Sequence, residues 1–140
     1  MSEKIIVVGG AGAMGKIHVN NFVNLGYGVG SMDAVENREA GKNYDAKKVT
    51  YSTVFTDGYR ICVVSLPDTM LFAQTIKIME AGFKRVLLEK PGSKNSDELE
   101  KLVNMAEEKG VTLHINYQRS FDERIDALYA KIRQKVSEGY

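Results

Sequence analysis

The chain has one cysteine, two prolines, two histidines and no tryptophan in 140 residues. A single cysteine, Cys62, excludes an internal disulfide, and a reducing cytoplasm is the simplest setting. Cys62 lies inside an apolar run, where a free thiol behaves as a small core hydrophobe rather than a nucleophile. No Cys/His cluster has metal-ligand spacing, so no metal site is expected. An excess of one charge is also lacking: 19 Lys and Arg stand against 18 Asp and Glu, a formal net charge of +1. No basic block or stripe argues for nucleic acid. No apolar run approaches a membrane span, and no signal-peptide core opens the chain. Repeats and low-complexity tracts are missing too. The length suits one domain with a proper core.

What is present is a glycine turn between two ordered stretches. The apolar run Ile5 to Val8 leads into Gly9-Gly10-Ala11-Gly12-Ala13-Met14-Gly15. A helix follows, about Gly12 to Leu25, with Met14, Ile17, Phe22 and Leu25 at helical spacing. Strand, tight glycine turn and helix form the context that gives G-x-G-x-x-G its meaning. In that pattern Gly10 makes the sharp turn, Gly12 admits a pyrophosphate to the backbone, and Gly15 lets helix and strand approach. The backbone N–H groups of Ala13 and Met14, at the positive end of the helix, then face the phosphates. An acidic residue is expected about 20 positions on to hold ribose hydroxyls. Asp33 stands at the end of a plausible second strand, near Val29 to Met32.

Further along, apolar runs alternate with amphipathic stretches. Residues 34 to 48 read as a short helix or loop, and Val49 to Thr53 as a short third strand. Ile61-Cys62-Val63-Val64 reads as a strand buried on both faces. After it come Ser65-Leu66-Pro67-Asp68 and a helix carrying Leu71, Phe72, Thr75, Ile76 and Met79 on one face, ending at Gly82. Val86-Leu87-Leu88 is the next strand and ends in Glu89-Lys90-Pro91. Asn95 and Glu98 form a capping box for a helix burying Leu99, Leu102, Val103 and Ala106. Val111 to Ile115 is the sixth strand. Alternation of this kind predicts an α/β fold: a doubly wound parallel sheet of Rossmann type, in the order 3-2-1-4-5-6. Its ligand site lies outside the carboxyl ends of the strands, where Gly10 to Gly15, Asp33, Ser65 to Pro67 and Glu89 to Pro91 converge. Phe121 to Glu138 reads as a last helix with the apolar stripe Phe121, Ile125, Leu128, Tyr129, Ile132 and Val136. That stripe packs back on the domain or faces something outside this chain.

Lys90, at the end of a buried strand, is the best candidate for chemistry. An ammonium beside a nicotinamide can hydrogen-bond a substrate hydroxyl and help move its proton; the plainer alternative is a salt-bridged surface lysine. Glu89 accepts ribose hydroxyls or pairs with a neighbouring cation. His18 approaches the phosphates or is an ordinary helix-face histidine. His114 reads as structural, facing the core or a cover helix. Tyr117 and Arg119 contact a cofactor or act as hinge residues.

Together these motifs resemble the amino-terminal half of the glucose-fructose oxidoreductase / inositol dehydrogenase / MocA family. Four stretches carry the likeness: Gly10-Ala11-Gly12-Ala13-Met14-Gly15-Lys16-Ile17-His18, Ser65-Leu66-Pro67-Asp68, Leu88-Glu89-Lys90-Pro91, and Tyr117-Gln118-Arg119-Ser120-Phe121. The resemblance implies a nicotinamide-dependent oxidoreductase acting on a CH–OH group of a sugar, cyclitol or nucleotide sugar. It implies Lys90 as the active-site lysine and Glu89 near the nicotinamide ribose. Cofactor contacts fall on Gly10, Gly12, Ala13, Met14, Gly15, Asp33, Ser65, Leu66, Pro67, Glu89 and Lys90. Asp33 favours NAD over NADP by repelling a 2′-phosphate, although Arg38 stands close by in the sequence and NADP is the alternative. Leu71 occupies a place where the family often has histidine, and Asn116 a place where it has glycine. On this likeness, residues 1–120 form the dinucleotide-binding domain and 121–140 a linking helix, with the family's carboxy-terminal α/β domain absent. Such a chain binds cofactor but does not turn over substrate by itself. The rival reading is a stand-alone dinucleotide-binding sensor or assembly module, with residues 121–138 as a homo-oligomer interface.

Overall fold

The fold was analysed in a computed structural model, which describes residues 3–33, 47–48 and 58–139. The chain runs β1 (Lys4–Val8), α1 (Ala13–Asn24), β2 (Gly28–Met32), β3 (Lys47–Lys48), β4 (Tyr59–Val64), α2 (Asp68–Glu80), β5 (Arg85–Glu89), α3 (Ser96–Lys109) and β6 (Thr112–Asn116). A 3-10 turn (Gln118–Phe121) and α4 (Glu123–Ser137) complete it. All strand pairs are parallel, in the order β3-β2-β1-β4-β5-β6. This is the expected doubly wound α/β sheet. The third strand is Lys47–Lys48, ahead of the expected Val49 to Thr53, which lies outside the described residues.

Strand periodicity sorts the core into two layers. Ile6, Val8, Cys62, Val64, Val86 and Leu88 point to one face, where Leu71, Ile78, Met79, Phe83 and Leu102 cover them. Ile5, Val7, Val29 and Val63 point to the other, packed on Val19 of α1. Each Leu, Ile or Phe so buried contributes roughly 1.5–3 kcal/mol against exposure. Cys62 is fully buried, and burial pushes its thiol well above the usual range. It should therefore resist a thiol-specific disulfide reagent in the folded protein and react at once in urea; rapid native-state labelling would contradict this placement.

Helix α3 starts as expected. Asn95 Oδ1 accepts from the Glu98 N–H at 2.9 Å, while Glu98 Oε2 reaches back to the Lys94 N–H at 3.0 Å. Asn95→Ala should lower the unfolding free energy by about 1 kcal/mol in urea denaturation. Its buried face is narrower than expected: Leu102 and Ala106 are inside, Leu99 is half-buried and Val103 is 43% exposed.

Two expectations about facing are corrected, and one left open is narrowed. In α1 the buried residues are Gly15, His18 and Val19, whereas Ile17 and Leu25 are exposed. His114 is exposed, because β6 turns Leu113 and Ile115 toward the α2/α3 layer and its alternate residues toward solvent. Among its described side chains α4 buries none, and Leu128, Tyr129, Ile132 and Val136 are 48–66% exposed. Ile125 is half-buried, and these four therefore do not pack back on the domain. No helix among the described residues is long and apolar enough to cross a membrane.

Candidate functional site

The chain direction across the sheet reverses at β1, between β2 and β4, and the glycine turn leaves β1 at that point. Two hydrogen bonds fix it there: Gly9 N–H to Met32 O at 2.8 Å and Ser65 N–H to Val8 O at 2.9 Å. Gly9, not Gly10, takes the left-handed conformation (φ +84°), and a Cβ there would lie 2.1 Å from the Ser65 carbonyl oxygen. Gly10 serves close approach instead, since a Cβ there would meet Ser31 Oγ at 2.3 Å. At Gly15 a Cβ would lie 2.0 Å from Gly9 O, so helix and strand touch as expected.

Gly12 differs from the other three. A Cβ there would meet only Gly9 O, at 3.2 Å, and the backbone is extended (φ −72°, ψ 169°). No side chain caps α1, and its first turn carries no acidic residue. The N–H groups of this turn and the positive helix end are thus open to an anion. Asp33, at the end of β2, lies against the same turn. Its two carboxylate oxygens accept from the Ala11 N–H at 3.1 and 3.2 Å, and the Ser31 hydroxyl donates to Oδ2 at 2.8 Å.

A groove of about 320 Å³ runs from this helix tip across the strand ends. Gly12, Ala13, Met14, Ser65, Leu66, Pro67, Glu89 and Lys90 line it, together with Asp68. Gly10 and Gly15 stand behind it as packing contacts, and Asp33 sits beside the turn rather than in the wall. Lys90 is exposed and makes no ion pair among the described residues. Arg119 is not brought to the groove; it lines a separate open depression with Asp122, Arg124, Leu128 and Lys131. Tyr117 is exposed, and its hydroxyl donates to the Pro91 carbonyl at 3.4 Å.

Glu89 and His18 are paired in the interior. Glu89 is 5% exposed, and its Oε1 lies 2.6 Å from His18 Nε2 and 2.7 Å from Asn116 Nδ2. Both contacts leave Glu89 hydrogen-bonded within the protein. Sequence reasoning named His18 and Asn116 but missed that both meet Glu89. The available signal was the placement of His18 one helical turn beyond Gly15, on the side where α1 meets the sheet.

A glycine turn at a topological switch point, an uncapped helix tip above it and a carboxylate at the end of the second strand define a dinucleotide-binding Rossmann domain. The Gfo/Idh/MocA profile, "Oxidoreductase family, NAD-binding Rossmann fold", matches residues 4–117. The chain belongs to this family and is its NAD-binding domain. It is 27% identical over 97% of its length to the uncharacterized oxidoreductase YrbE of Bacillus subtilis, covering 41% of that protein. It is 32% identical over 79 residues, 56% of this chain and 21% of the relative, to scyllo-inositol 2-dehydrogenase (NADP(+)) IolW of the same organism. Among solved structures, the WlbA dehydrogenase of Chromobacterium violaceum, in complex with NADH and UDP-GlcNAcA, superposes with a TM-score of 0.82. It is 18% identical, over 96% of this chain and 40% of that one. The chain thus spans about two fifths, or less, of the length of these relatives.

Proposed function

We propose that this chain is the cofactor half of an oxidoreductase that interconverts CH–OH and C=O on a sugar, cyclitol or nucleotide sugar, with NAD preferred over NADP. The observation that carries the reading is the single groove joining the uncapped α1 tip to Lys90. The family's cofactor fits this groove: Gly12 leaves open the space a phosphate needs, whereas a side chain there would fill it. A bound nicotinamide supplies the hydride acceptor. Ala13 and Met14 would hold the pyrophosphate by backbone N–H groups, with Gly12, whose own N–H donates to Gly9 O at 2.9 Å, admitting it to the backbone, and Asp33 the adenosine ribose hydroxyls. Ser65, Leu66 and Pro67 form the opposite wall. Lys90 is the catalytic residue in this reading: its ammonium would donate to the substrate hydroxyl oxygen and relay the proton as the carbonyl forms. Relatives named for inositol and nucleotide-sugar substrates support the substrate class.

Residues 1–120 would form the binding domain and 121–140 a linking helix, with the substrate pocket built by groups beyond this chain. Orientation of substrate is a large part of the rate, so the chain by itself should bind cofactor without turnover. Titration of the chain with NADH and NADPH tests the cofactor assignment. NADH should bind about tenfold more tightly, because a 2′-phosphate would meet the Asp33 carboxylate; tighter NADPH binding would refute the preference. The exposed α4 stripe favours one rival, a dinucleotide-binding module that self-associates through residues 121–138. A stable dimer in light scattering, lost in Ile132→Glu, would favour that rival, and a monomer would count against it.

A further inference from the structure

We propose that His18 is a positioning residue, one that holds Lys90 in register with the helix tip by gripping Glu89. The inference rests on the groove taking a dinucleotide, and goes beyond it in assigning a role to the contact between His18 and Glu89 itself. Three segments meet at one atom. Glu89 Oε1 receives His18 Nε2 from α1 at 2.6 Å and Asn116 Nδ2 from the end of β6 at 2.7 Å. Glu89 Oε2 has no hydrogen-bond partner among the described residues and belongs to a residue that lines the groove. Glu89 is the last residue of β5 and buried, and Lys90, the next residue, is exposed in the turn that follows, so what fixes the Glu89 side chain also fixes the start of that turn.

A carboxylate this buried is costly unless donors satisfy it. With both donors in place, one oxygen is anchored and the end of β5 is tied to the helix whose tip takes the phosphates. Without the imidazole, the carboxylate loses a donor and moves toward the groove and solvent. It then carries the start of the Lys90 turn with it and brings negative charge closer to the phosphate path. A purely space-filling histidine would have neither effect.

The test uses the whole chain. NADH affinity is measured by fluorescence titration, and the Lys90 amide position is read in a ¹H–¹⁵N spectrum without cofactor. His18→Leu should weaken NADH binding about tenfold or more and shift the Lys90 amide, the loss expected for one hydrogen bond to a charged group. His18→Gln, whose amide can donate to the same oxygen, should stay within about threefold of the parent. Asn116→Ala, at the sheet rim, should lose about threefold to tenfold. The proposal is overturned if His18→Leu binds NADH as the parent does with Lys90 unmoved, or if glutamine rescues nothing. Should His18→Leu not fold, Asn116→Ala decides, and parental affinity there overturns it. Gly12→Val separates the two readings. If it too binds normally, the groove assignment has failed; if it alone loses binding, only the role of His18 has.

Discussion

Gly12→Val should abolish measurable NADH binding, a loss of roughly 100-fold or more, about 2.7 kcal/mol, with only a small loss of fold stability. The argument depends on where a side chain would go. The Gly12 backbone is extended, a conformation valine adopts readily, and its Cβ would contact only Gly9 O at 3.2 Å. No backbone angle is strained, and the Gly9 carbonyl must give by only a few tenths of an ångström, so the fold should survive the substitution at a small cost. The two γ-methyls would project over the uncapped first turn of α1, into the groove that Gly12, Ala13 and Met14 border. They would hold a phosphate away from the N–H groups meant to bind it, and a displaced anion loses both the hydrogen bonds and most of the helix-end attraction. Calorimetric titration paired with urea unfolding reads both sides. Unchanged affinity would refute the phosphate assignment; a large fall in the urea midpoint would show that the space above Gly12 is structural.

Gly15→Val should do the reverse and compromise the fold itself, by about 3 kcal/mol or more. A Cβ at Gly15 would sit 2.0 Å from Gly9 O and 2.7 Å from Gly10 Cα, both backbone atoms of the turn. No rotamer relieves a clash that begins at Cβ, so either α1 rises off the sheet or the turn opens. The first course strips the cover from Val19, Ile5 and Val7; the second breaks the hydrogen bonds from Gly9 to Met32 and from Ser65 to Val8. Domains of this size hold only about 5–15 kcal/mol in total, so much of the chain would be unfolded or insoluble at 37 °C. Gly9→Ala tests the same packing from the strand side, where a left-handed φ adds backbone strain to a 2.1 Å approach to Ser65 O. Circular dichroism through a urea gradient checks both variants, and a midpoint like the parent's in either would contradict the packing described. The contrast between Gly12 and Gly15 is the useful result: neighbouring glycines of one motif, one open to ligand and one closed by backbone.

Much of the site was legible because it is local. The glycine turn, the strand before it and Asp33 after it lie within the first 33 residues. Their chemistry follows from the absence of a Cβ and the presence of a carboxylate at a strand end. The loops after β4 and β5 came with them, since parallel strands all finish on the same edge. The α1 face was misread for a physical reason. Apolar spacing pointed to Ile17 and Leu25, but the helix is rotated by its contact at Gly15, which brings His18 and Val19 inward. Hydropathy ranks glycine and histidine as neutral, so a face set by close approach leaves little trace in it. The His114 placement failed similarly, because an edge strand keeps one face wet.

The sequence by itself determined the sheet order, the switch point and the family, because continuous apolar runs, helix stops and the glycine spacing act over short stretches of chain. Only the tertiary structure decided which glycine bends, which face of α1 is buried, and that His18 meets Glu89. The last pair is 71 residues apart. A contact of that separation is set by how two elements stack on a common sheet, and no local pattern encodes the distance between them.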